Sequence, residues 1–86
     1  GQGFNVEEEL LSGVSVYPNP STGVLNIDFE SNDNYYIEVT NIIGEIVLVK
    51  ELESNTSIDL SSFEKGTYLV KVSNSELSKT ERIVIE

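Results

Sequence analysis

The chain has no cysteine and no histidine. Disulfide staples, thiolate nucleophiles, imidazole bases and the commonest zinc ligands are excluded together, so stability must come from packing. Tryptophan is absent as well, and the aromatic side chains are three Phe and four Tyr. Positive charge is scarce: 5 Lys and Arg stand against 15 Asp and Glu, for a formal net charge of -10. That field repels phosphate backbones and anionic headgroups, which makes nucleic acid a poor partner. No run approaches the roughly 20 consecutive apolar residues of a membrane-spanning helix, and no basic region followed by an apolar run opens the chain. We expect no membrane insertion and no cofactor.

With 86 residues, 38% of them hydrophobic, the chain has material for one thin core and one domain. A two-layer domain without a large substrate pocket fits that size. β-branched and aromatic residues alternate with polar ones in short runs, separated by Gly, Pro, Asn, Asp and Ser clusters. Seven strands are predicted, over residues 14–17, 24–30, 35–41, 45–52, 56–60, 67–73 and 78–86. Only the segment 6–11, VEEELL, has the pattern of a helical turn. The fold class is all-β, a seven-stranded antiparallel sandwich of immunoglobulin-like or jelly-roll proportions. Residues 1–13 are assigned to a linker or an appended N-terminal segment, and 14–86 to the domain.

Alternation assigns faces, because successive side chains point to opposite sides of a sheet. Leu25, Ile27, Phe29, Ile37, Val39, Tyr68, Val70 and Val72 should face inward, with Asn26, Asp28 and Glu30 in water. Among the strand tyrosines Tyr36 is the one expected to face away from the core. The runs EIVLVKEL and RIVIE are apolar on both faces, which requires cover on both sides or a surface open to a partner. As the terminal strand, RIVIE reads equally as an ordinary edge strand of the sandwich or as a loosely tied edge available for strand addition.

Residues 31–35, SNDNY, tolerate left-handed backbone and predict a hairpin tip. Gly44 predicts the tight turn of a second hairpin. Further on, Phe63 should pin a loop to the core and Gly66 release it into the next strand. In YPNP, Pro18 and Pro20 fix their own φ and push Tyr17 and Asn19 toward extended geometry, so the first strand ends there. Gly23 then supplies a turn and sets the register of the second strand. A rigid turn alone explains these residues.

The stretches VSVYPNPSTGVLNIDFE, NIIGEIVLVKEL, LSSFEKGTYLVKVSN and KTERIVIE follow one another along the chain. This succession resembles the type A C-terminal sorting domains of type IX secretion substrates, over nearly all of residues 14–86. The loop SSFEK between Leu60 and Gly66 departs slightly from the family pattern, as does the acidic last residue. The resemblance implies a non-catalytic address at the end of a secreted cargo protein. It implies folding in the periplasm, recognition by the outer-membrane translocon and shuttle proteins, and removal by a sortase-like peptidase, with the cargo then secreted or on the cell surface. A signal peptide would lie at the far end of the cargo. The positions carried over are Pro18, Asn19, Pro20 and Gly23, then Gly44, then Gly66 and Tyr68, with Arg82, Ile83, Val84, Ile85 and Glu86 as the recognised tail.

Competing readings are weaker. Asp28 and Glu30 share a face two residues apart, as a glycosidase pair would. On a solvated sheet they lack the burial that raises an acid's pKa. The segment 28–34, DFESNDN, offers oxygen ligands at alternate positions, but without the central Gly and closing Glu of a calcium loop. A small adhesion or carbohydrate-binding module is the alternative function, disfavoured because sugar platforms need exposed aromatics, there is no Trp, and only Tyr36 is expected to face outward.

Overall fold

A computed structural model describes residues 13–86. The helical turn expected at 6–11 and most of the N-terminal segment lie outside the described residues. The element order is β1 (Val14–Tyr17), β2 (Val24–Phe29), β3 (Tyr35–Thr40), β4 (Ile46–Leu52), β5 (Thr56–Asp59), β6 (Gly66–Ser73) and β7 (Ser78–Ile85). Each expected strand is present, with ends shifted by a residue or so.

Two antiparallel sheets form, in the orders β1-β2-β5 and β4-β3-β6-β7. This is an immunoglobulin-like arrangement rather than a jelly roll, which would need eight strands in two Greek keys. The inner faces supply one core. Val14, Leu25, Ile27, Ile58 and Leu60 come from the smaller sheet and its margin, and Tyr35, Ile37, Val39, Val70, Val72, Ile83 and Ile85 from the larger. Expected inward residues are buried except Phe29, which is half-buried because it closes the end of the sandwich, its ring stacked 3.9 Å from that of Tyr35.

Three expectations need correction. Residues 31–34 do not form a hairpin tip: β2 and β3 lie in different sheets, so this loop is a crossover. Turn-forming residues mark a change of direction, and the sheet that receives the chain is set by packing. Tyr17 as well as Tyr36 is exposed, since Val14 and Val16 take the inward side of β1. The closing strand is the opposite of loosely tied. It pairs with β6 over eight residue pairs, from Gly66↔Ile85 to Ser73↔Ser78, and buries Ile83 and Ile85 almost completely.

The two-faced apolar run in β4 has a local cause. This edge strand shifts register against β3 between Val39 and Thr40, so Val47 is an extra residue. Val47 and Leu48 then both pack on the core while Ile46 and Val49 stay exposed.

Register fixes two poles. Gly13, bonded to Glu30 through Glu30 N–H at 2.9 Å, lies at one end with residues 31–34, 53–55 and 74–77. The opposite end gathers residues 18–23, 41–45, 60–65 and the C-terminal Glu86.

Candidate functional site

The loop after β1 runs along the outer edge of β7. Both X–Pro peptide bonds, Tyr17–Pro18 and Asn19–Pro20, are cis. Asn19 Nδ2 donates to the carbonyl of Arg82 at 2.9 Å, and its Oδ1 accepts from Val84 N–H at 3.1 Å. Ser21 continues this pairing. Its N–H donates to Val84 O at 2.9 Å, its carbonyl accepts from Glu86 N–H at 2.8 Å, and it forms a parallel bridge with Ile85. These four bonds take up the edge from Arg82 O to Glu86 N–H, the part that strand addition would use.

Ser21 is the residue that sequence reasoning missed. It is a buried polar residue, 2% exposed, whose Oγ donates to Val24 O at 2.8 Å and accepts from Gly23 N–H at 3.0 Å. A serine two residues before a glycine is a local turn signal that could have flagged the second bond. Nothing local signals its pairing with β7.

Gly23 has φ +136°, and a Cβ there would lie 2.8 Å from Ser61 Cα. Its carbonyl accepts from Leu60 N–H at 2.6 Å, so the loop into β2 and the loop after β5 touch backbone to backbone. Gly66, at φ +145°, opens β6 opposite Ile85. Tyr68 follows on the buried face and donates its hydroxyl to Glu64 O at 2.5 Å. A tyrosine near the start of this strand, bonded a few residues back, is the tyrosine corner of immunoglobulin-like domains. Phe63 packs against it with ring centroids 6.2 Å apart, pinning the loop as expected.

Gly44 sits at φ +90° in the β3–β4 turn and donates its N–H to Asn41 O at 3.0 Å. The structure therefore brings Asn19, Arg82, Val84 and Glu86 into one bonded strip, with Gly66 and Tyr68 on the adjoining strand. Pro18 and Pro20 flank Asn19 in the exposed loop, and Gly44 stands across the pole on a separate turn. All the carried-over positions lie at or toward the end remote from Gly13.

At the weaker candidate positions the carboxylates have other partners. Tyr17 donates to Asp28 Oδ2 at 2.6 Å, which raises the tyrosine above its ordinary pKa, chiefly through that bond and then through desolvation and the carboxylate's charge. Asp33 instead accepts from Asn34 N–H and from Asn74 Nδ2. Among the described residues no three carboxylates converge as a metal site would require. Asp59 accepts from Ser61, side chain and N–H, and those bonds lower its pKa.

Residues 15–86 match the family described as secretion system C-terminal sorting domain. The chain belongs to that family of type IX sorting domains. The sorting domain is 33% identical over 69 residues to β-agarase D of Zobellia galactanivorans, a match that takes in 80% of this chain and 14% of that protein. It thus spans a small part of the relative's length. Among solved structures, a DUF3244-family protein with an immunoglobulin-like β-sandwich fold from Bacteroides vulgatus ATCC 8482 superimposes with a TM-score of 0.77. That alignment covers 86% of the sorting domain and 84% of the other chain, at 16% identity, and speaks for the fold alone.

Proposed function

We propose that the domain acts as a non-catalytic address for a cargo protein joined ahead of residue 14. In this reading the cargo passes through the periplasm, and the translocon and shuttle proteins of the type IX system read the domain there. A sortase-like peptidase then removes it, leaving the cargo secreted or held at the cell surface. The supporting observation is polarity. The chain leaves toward the cargo side at Gly13, whereas the family's motif positions gather toward the other end, where a bulky passenger would not cover them. The adhesion alternative gains nothing: Tyr17 and Tyr36 are exposed on strands of different sheets and form no common platform.

A fluorescent protein fused ahead of the domain, expressed with a signal peptide in a host that has the machinery, tests this directly. Fluorescence should move to the medium or cell surface. Retention in the periplasm, with the domain folded, counts against the reading.

A further inference from the structure

Hairpin tips are ordinarily polar, because they stand in water. Here the β3–β4 turn carries Ile42 and Ile43, 78% and 74% exposed, the two most exposed large apolar residues of the described chain. The turn is bonded together through Asn41. Asn41 Oδ1 accepts from Ile43 N–H at 3.1 Å and Glu45 N–H at 3.0 Å, while its Nδ2 donates to Glu45 Oε1 at 2.9 Å. Its backbone adds bonds to Glu45 O and from Gly44 N–H, both 3.0 Å. No core contact explains the isoleucines, and no turn geometry requires them. Ile46 and Leu69, 56% and 42% exposed, extend the apolar surface from the tip onto the outer face of the larger sheet. A groove bordered by Glu64, Lys65 and Gly66 lies against the other side of the tip.

Two β-branched side chains, stiff at χ1, on a turn whose backbone is held by hydrogen bonds make a preorganised anchor that has less conformational freedom to lose on binding. We propose that Ile42 and Ile43 insert into a concave apolar pocket with a basic rim on the protein that reads the sorting domain. This rests on the sorting reading. Charge selects the occupant: Glu45 and Glu64 flank the tip against Lys65 alone, and the whole chain carries -10. That balance repels anionic lipid and a second copy of the chain, and favours a basic surface.

The test uses the same fluorescent fusion. Ile42→Ser with Ile43→Ser should cut exported signal at least about tenfold, as loss of a central anchor does, while the melting curve of the purified chain stays near wild type. Glu45→Lys with Glu64→Lys should also reduce export. Export of the double-Ser fusion at wild-type level overturns the anchor, and unchanged export of the double-Lys fusion overturns the basic rim. If even the wild-type fusion stays in the periplasm, the sorting reading itself has failed. Purified chain should neither sediment with phosphatidylglycerol vesicles nor dimerise on a sizing column. Either behaviour, abolished by the double-Ser change, would overturn the protein pocket in favour of lipid or of a second copy.

Discussion

Asn19 stands in for a peptide group: it offers one acceptor and one donor to the backbone of β7, as a neighbouring strand would. Replacing it by Ala leaves Arg82 O and Val84 N–H to water. We expect a stability loss of about 1 kcal/mol, the ordinary net worth of such bonds, with faster hydrogen exchange at the Val84 amide. Asn19→Asp should cost more than Ala, because a carboxylate cannot donate and would face the Arg82 carbonyl at the 2.9 Å now bridged by Nδ2. Denaturant melts of both variants check the order. Gly23→Ala is the severe change at this loop. It forces a side chain into positive φ and against the Ser61 backbone, at roughly 2–4 kcal/mol. The glycine was legible as a turn residue, but the close approach that makes it irreplaceable involves a residue far along the chain.

Among the elements β7 carries the most weight. Its apolar run was legible, and so was its being a strand. Its place was not. Lying between β6 and the residue 19–21 clip, it buries Ile83 and Ile85 at 1% and 3% exposure. Changing both to Ser should remove about 2–5 kcal/mol each, on the scale of the whole stability of a small domain, so circular dichroism should show an unfolded chain. Such a variant cannot tell fold from recognition. Arg82→Ser and Val84→Ser, on the outer face, should stay within about 1 kcal/mol of wild type and make usable export probes.

At the scale of the whole molecule, charge governs. With 15 carboxylates against 5 basic groups, the folded chain repels itself. Raising salt from roughly 0.01 M to 1 M shortens the screening length from about 30 Å to about 3 Å and should raise the melting temperature. Tyr17 and Asp59 each contribute to the pH profile. Folding lowers the pKa of Asp59, so its contribution is present above the ordinary carboxylate value of 3.8 and is lost as pH falls through the depressed one. Folding raises that of Tyr17, so its contribution is present below 10.0 and is lost as pH climbs through the raised value. Melting temperature against pH should therefore fall away at both ends. Asp59→Asn should flatten the acid limb, and Tyr17→Phe the alkaline one.

Local residue order was enough for the seven strands, for the inward faces of β2, β3 and β6 apart from the half-buried Phe29, and for the turns at Gly23, Gly44 and Gly66, because period-two alternation and backbone permissiveness act over a few residues. It could not decide which sheet receives each strand. The crossover at residues 31–34 looks locally like a hairpin, and only the pairing of β3 with β6, some thirty residues later, makes it otherwise. Nor could it show that Asn19 and Ser21 close the edge of β7, since those bonds join residues 63 to 65 positions apart. Hydrogen bonds and packing between distant segments exist only once the chain is compact. The tertiary structure therefore turned a proline-rich turn into an edge clip and a loose-looking tail into a strand bonded on both sides.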